Sequence, residues 1–194
     1  MKGEPMKVIL RATLLAFMCF ALIGGASATT LTFDDLTGYG GLPANYGGFT
    51  WASNMGYYDS DQPPYNPQSP PERVLFNYGS CCAYAESDVT WNGPGTITFL
   101  GAYFAGYASA GPVYFNLYNG AALVWTSGSL SPSDTPTYLD AGYLGPVTKI
   151  GIVGQDGYYV MDNFTFSSVP EPGTLLMLGT GIVGLAGAIR RKLF

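Results

Sequence analysis

Glycine, proline, asparagine, aspartate and serine interrupt this chain roughly every 8–12 residues, and few helices survive such punctuation. Proline removes a backbone donor and glycine raises the entropy cost of ordering, so 27 glycines and 14 prolines in 194 residues favour short elements. Between the breaks lie stretches rich in tyrosine, phenylalanine, valine and threonine, which fit a pleated, half-buried surface. These predict strands near residues 30–34, 48–52, 73–77, 87–91, 96–100, 102–107, 112–118, 121–127, 136–140, 147–153 and 158–167. The pattern predicts an all-β fold, a two-sheet antiparallel sandwich that is jelly-roll-like in outline. No internal repeat of the usual periods is present.

The most specific local prediction is a hairpin over residues 113–125. Asn119-Gly120 is the residue pair favoured in a two-residue type I′ loop. That loop pairs Tyr118 with Ala121, Asn116 with Leu123 and Tyr114 with Trp125. Side chains alternate along a strand, so Val113, Phe115, Leu117, Ala122 and Val124 are expected to face the core. Tyr114, Asn116, Tyr118, Leu123 and Trp125 then form an aromatic outer face, and a sugar ring could stack on Tyr114, Tyr118 and Trp125 beside the Asn116 amide.

Both ends of the chain are apolar. Lys2, Lys7 and Arg11 precede the run from Ala12 to Ile23, and Ala26, Ser27 and Ala28 supply small residues at a cleavage site. This is the order of a secretory signal peptide, expected as a helix over part of residues 1–28 with cleavage by signal peptidase after Ala28. At the other end, Pro170-Glu171-Pro172 precedes fifteen uncharged residues, 175–189, and the basic cluster Arg190, Arg191 and Lys192. The stretch is short for a bilayer core of ~30 Å but is extended by Gly173 and Thr174, and it predicts a C-terminal transmembrane helix. The basic cluster stops transfer and places residues 29–172 outside the inner membrane.

The tripeptide, apolar stretch and basic end, in that order over residues 169–194, resemble the PEP-CTERM sorting signal of Gram-negative bacteria. The resemblance implies an exosortase that cuts near the tripeptide, so the tail is a transient membrane anchor and the product reaches the cell surface or extracellular matrix. It also implies a link to exopolysaccharide and biofilm. A permanent single-span anchor is the plainer reading of the same tail.

Between these segments lies one domain, residues 29–168. Its eleven acidic and two basic residues, Arg73 and Lys149, give a net charge of −9, against −5 for the whole chain. A domain so poor in cations has no electrostatic footprint for nucleic acid.

The domain opens with Leu31, Thr32, Phe33, Asp34 and Asp35, continues with Gly47 to Trp51, and closes with Val160, Met161, Asp162, Asn163 and Phe164. These ends resemble secreted bacterial jelly rolls, including carbohydrate-binding modules. The resemblance implies that the first and last strands are neighbours and that Asp34 or Asp35, with Asp162, holds a structural Ca²⁺. The plainer reading of Asp162-Asn163 is a polar bulge in an edge strand. No cofactor is required.

The chain contains no histidine, which excludes Ser-His-Asp and Cys-His catalysis. Paired carboxylates can hydrolyse a glycosidic bond, but the spacing of Asp59, Asp61, Glu72 and Glu86 selects no pair, and a non-enzymatic domain is expected. Cys81 and Cys82 are adjacent and, after export, the only thiols; a vicinal disulfide is expected, with free thiols or an intermolecular bridge as alternatives. The proline- and tyrosine-rich segment 54–73, with Tyr57, Tyr58 and Tyr65, is expected as a long loop pinned to the sandwich by its aromatics. Two functions remain for the domain: a surface or matrix protein with a structural, cohesive role, or a carbohydrate-binding module using the Tyr114, Asn116, Tyr118 and Trp125 face.

Overall fold

The computed structural model describes residues 27–59, 62–71, 73–76, 83–169, 179 and 181–184. The chain divides into a compact unit, Ser27–Val169, and a second unit of the remaining terminal residues, in which the described positions 179 and 181–184 are helical. The predicted signal helix, Cys81, Cys82, Asp61, Glu72, the Pro170-Glu171-Pro172 motif and the Arg190-Arg191-Lys192 cluster lie outside the described residues. Among the described residues no helix is long and apolar enough to cross a membrane.

The strands are β1 (Ala28–Leu31), β2 (Tyr39–Gly41), β3 (Asn45–Tyr46), β4 (Phe49–Trp51), β5 (Met55–Tyr58), β6 (Arg73–Phe76) and β7 (Tyr84–Trp91). They continue with β8 (Thr96–Gly106), β9 (Val113–Asn119), β10 (Ala122–Leu130), β11 (Thr137–Asp140), β12 (Lys149–Gln155) and β13 (Tyr159–Val169). Two antiparallel sheets form, as the punctuation predicts. One has the order β11-β8-β13-β6-β5-β2, with β1 added beside β13; the other has the order β10-β9-β12-β7-β4-β3. The first and last strands are neighbours, Ala28 opposite Ser167 and Leu31 opposite Phe164.

Alternation builds the core. Along β9, Val113, Phe115 and Leu117 are fully buried while the residues between them are not. Aromatic rings then lock the two sheets together. Phe49 of β4 meets Phe164 and Phe166 of β13 at ring-centroid distances of 5.2 and 4.8 Å. Phe99 of β8 meets Phe115 of β9 at 4.8 Å. Edge-on aromatic pairs of this kind add about 0.5–1.5 kcal/mol each beyond the area they bury.

Three differences from the sequence reading have physical causes. First, β2, β3 and β5 are strands of two to four residues that mix tyrosine with glycine or asparagine, too short for alternation to mark. Second, β8 is one strand where two were expected: it runs through Gly101 because an added Cβ there would lie 2.2 Å from the Leu139 carbonyl, so the glycine marks close approach of β11 and not a break.

Third, the hairpin slips by one residue. Asn119 pairs with Ala122 and Tyr118 with Leu123, so the loop is Gly120-Ala121. Gly120 has φ +60° and Asn119 is not in the left-handed region, which is the type II′ pattern and not type I′. A bulge at Val124 then sets Trp125 opposite Leu117, and Thr126 opposite Asn116. Ala122, at the edge of the loop, is exposed, and Val124 is only partly buried against the core. The expected pairing of Tyr114 with Trp125 does not occur.

Candidate functional site

The outer face of the six-stranded sheet gathers the polar chemistry of the domain. Register puts Gly151 of β12 between Asn116 of β9 and Asp88 of β7, and Lys149 between Tyr118 and Thr90. One pair further along, Val153 lies between Tyr114 and Glu86. Glycine at the centre leaves a dip, and Glu86 lies diagonally across it: a Cβ on Gly151 would be 2.1 Å from Glu86 Oε1.

Each oxygen of that carboxylate accepts a hydrogen bond. Asn116 Nδ2 donates to Oε2 and Tyr118 Oη to Oε1, both at 2.8 Å. Asn116 Oδ1 in turn accepts from Thr126 Oγ1 at 2.9 Å. Lys149 Nζ lies 4.0 Å from the Tyr118 ring centroid and pairs with Asp88 Oδ2 at 3.1 Å. Both groups of that ion pair are partly exposed, so its worth is in placement more than in stability. Desolvation and the bond to Glu86 push the Tyr118 hydroxyl up to about 12, so it remains a donor at neutral pH.

The sequence-predicted platform is therefore assembled in part. Tyr114, Asn116 and Tyr118 share this face, joined by Glu86, Asp88 and Lys149, which had no assigned role. Trp125 does not join them. Its Nε1 donates to the Ala141 carbonyl at 2.9 Å, and its ring lies nearly parallel to Tyr143, centroids 6.0 Å apart. The sequence signal for the missed residues is Gly151 between the buried Ile150 and Ile152, since a lone glycine in a strand marks a close neighbour.

The acidic cluster forms where β13 changes partners. On one edge β13 pairs with β6 at Val160 and Met161, then with β1 from Phe164 onward. Asp162 and Asn163 fall in the gap, with a register shift against β8 and φ +51° at Asn163. The bulge expected of an edge strand thus sits inside the sheet. The Ser69 loop fills the gap: its backbone N–H donates to Asp162 Oδ2 at 2.7 Å, and its hydroxyl reaches Asp162 Oδ2 and Asn163 Oδ1 at 3.2 and 2.8 Å. Asp162 Oδ1 accepts from the Asn163 N–H at 2.6 Å.

Burial, opposed by these hydrogen bonds and assisted by the charge of Asp34, pushes Asp162 up to about 6. The charge of Asp34 thus reaches the Asp162 carboxyl. Asp35 accepts a hydrogen bond from the Tyr46 hydroxyl. No group of three or more acidic, histidine or cysteine side chains suited to a metal occurs among the described residues.

The remaining candidates have local roles. Asp59 Oδ2 accepts from the Gly38 N–H at 3.2 Å. Tyr65 donates to the Gly157 carbonyl at 2.6 Å and meets Tyr107 edge-on, which ties the 59–71 segment to the β12–β13 turn.

The fold and its ends define an antiparallel β-sandwich domain that runs straight into a C-terminal sorting segment. Residues 168–192 match the PEP-CTERM protein-sorting motif. The motif indicates export, marks a C-terminal sorting region and implies processing by an exosortase. It covers the tail and says nothing of the domain. No curated protein matches the chain.

Among solved structures the chain is similar to a family 29 carbohydrate binding module, with 17% identity over 78% of this chain and 98% of the other, at a TM-score of 0.42. A mutant of such a module complexed with mannohexaose is similar at 19% identity over 74% of this chain and 92% of the other, at a TM-score of 0.40. Likeness of this extent assigns no residue and no ligand to the present chain.

The Asp162 environment sets a pH dependence. A carboxyl whose pKa is higher folded than unfolded binds more protons in the folded state, so stability falls as pH rises from the unfolded value of 3.8 through about 6. In chelator, the urea midpoint is expected to drop between pH 4 and pH 7, by an amount equivalent to about 2–3 kcal/mol at most. Asp162→Asn is expected to flatten that component. A midpoint that falls as steeply in Asp162→Asn as in the wild type contradicts the assignment.

Proposed function

We propose that the chain is the precursor of an exported, non-enzymatic cell-surface or extracellular-matrix protein of a Gram-negative bacterium. Signal peptidase releases residue 29 onward, and the apolar stretch 175–189 holds the precursor in the inner membrane. An exosortase cuts near Pro170-Glu171-Pro172, and the jelly-roll-like domain then serves a structural, cohesive role in a surface layer linked to exopolysaccharide and biofilm. The observation that carries this reading is the sorting motif at residues 168–192, directly following a compact β unit. Intact-mass measurement of surface material tests it: the mature chain is expected to begin near Thr29 and to lack the residues beyond the Pro170-Glu171-Pro172 region. Mature protein that ends at Phe194 contradicts it.

A structural Ca²⁺ at Asp34 and Asp162 belongs to the same reading. Support comes from the elevated Asp162, raised by burial and further by the Asp34 charge, since a divalent ion favours the ionised carboxylate. The pH titration above, repeated with millimolar Ca²⁺, is expected to lose its fall; an unchanged curve removes the ion.

A second reading, carbohydrate binding, is favoured by the polar cluster around Gly151. Carboxylate, amide, ammonium and phenol groups are held at fixed positions beside the Tyr114 and Tyr118 rings, and such convergent polar groups beside aromatics suit a sugar. On a glycan array and in titration with exopolysaccharide, Tyr114→Ala is expected to weaken binding about tenfold or more, equivalent to ~1.4 kcal/mol. Trp125→Ala, turned away toward Ala141, is expected to leave affinity nearly unchanged. No bound glycan, or equal loss in both variants, leaves the structural role alone.

A further inference from the structure

The sorting motif begins inside the last strand. Ser168 and Val169 are still paired, with Ile97 and Thr96 of β8, when the motif starts at residue 168. Ala28, the residue before the expected leader cut, pairs with Ser167 beside them. Both targeting segments therefore join the domain at one end of the sandwich.

The loops at that end are set by the strand register. The 92–95 loop connects β7 to β8, and Asn92 N–H donates to the carbonyl of Gly48 in the β3–β4 turn at 3.0 Å. Residues 141–148 reach the same end: Val147 bridges Ile97, and Thr148 bonds both Tyr118 and the Gly120 N–H of the β9–β10 turn. None of the residues 47–48, 92–95, 119–121 and 141–148 is charged. Behind these loops, Lys149 and Asp88 pair with each other, and Asp35 accepts a hydrogen bond from the Tyr46 hydroxyl next to the Gly47-Gly48 turn. Asp140 lies opposite Gly101, five residues or about 16 Å along β8 from Thr96.

Acidic residues collect at the other end and along the flanks. Asp134 and Asp156 sit in loops tied to the 59–71 segment and to Ala83, where Asp59 also lies. The neutral end instead exposes Leu144, 82% open, next in the chain to Tyr143, whose ring stacks on Trp125. Trp91 donates to the Pro94 carbonyl in the end loop itself.

We propose that this neutral end is a membrane-facing surface: before the tail is cut, it rests on the lipid headgroups of the bilayer in which the tail is held. The proposal rests on the reading of residues 175–189 as a membrane span. Six residue steps separate Val169 from Leu175, at most about 22 Å fully extended, so the end of β13 cannot stand far from the hydrocarbon. A domain of net charge −9 is repelled by anionic lipid within a Debye length of ~8 Å, and loops that carry no charged residue approach it at the least cost. Amphipathic tyrosine and tryptophan rings and an open leucine suit the headgroup layer, where one side of a ring is apolar and the other wet.

The test uses the full uncut chain in phosphatidylethanolamine–phosphatidylglycerol vesicles that carry headgroup spin labels. A fluorophore is attached at Leu144→Cys, or at Ser109→Cys in the exposed β8–β9 loop of the opposite end, with Cys19, Cys81 and Cys82 replaced by Ala. Fluorescence at position 144 is expected to be quenched, and that at position 109 to match lipid free of spin label. Equal quenching at both positions, or none at position 144, in chain that resists carbonate extraction overturns the proposal alone. Chain that carbonate extracts from the vesicles overturns the membrane-span reading and this proposal with it.

Discussion

The pairing of β13 with β8 on one edge, and with β6 and then β1 on the other, joins the first and last residues of the domain across the whole intervening chain. Its inward rings, Phe164 and Phe166, are the ones that reach across to Phe49 in the opposite sheet. The core therefore cannot close until the last strand is present. Contacts of such long sequence separation close slowly, because loop entropy must be overcome before they contribute. The sorting motif lies directly beyond this strand, so the segment that directs processing follows the strand that completes the fold.

The same strand creates the acidic cluster. Where its partner changes from β6 to β1, two residues lose their ladder partners on that edge, and Ser69 supplies the missing donors to Asp162. A carboxylate buried this way costs the fold stability as it ionises towards neutral pH. The outer face of the other sheet solves a different problem. There Glu86, Asn116, Tyr118, Lys149 and Asp88 satisfy one another over the bare backbone of Gly151, leaving an ordered polar surface suited to hydroxyl-rich ligands or to neighbouring matrix.

Much of the fold was legible in the sequence. The sheet class, most of the strands, the core residues of β9 and the adjacency of the first and last strands follow from alternation and from the resemblance of the domain ends. The hairpin was misread by one residue because Asn119-Gly120 is a favoured loop pair. The chain instead places Gly120 at the first loop position, and a bulge at Val124 then turns Trp125 toward Ala141. The Glu86 cluster was not legible because it needs the mutual register of three strands that are far apart in sequence. The tail was the plainest feature of all, since its information lies in the order of tripeptide, apolar stretch and basic end, with no tertiary contact required.

Native-state hydrogen exchange on the Ser27–Val169 domain tests the central place of β13 most directly. If the last strand closes the core, the amides of Val160, Met161, Phe164 and Phe166 exchange only through global unfolding, with the same opening free energy as those of Phe99 and Phe104 in β8. Exchange at the β13 amides well before those of β8 would show a strand that frays independently, and would contradict the account.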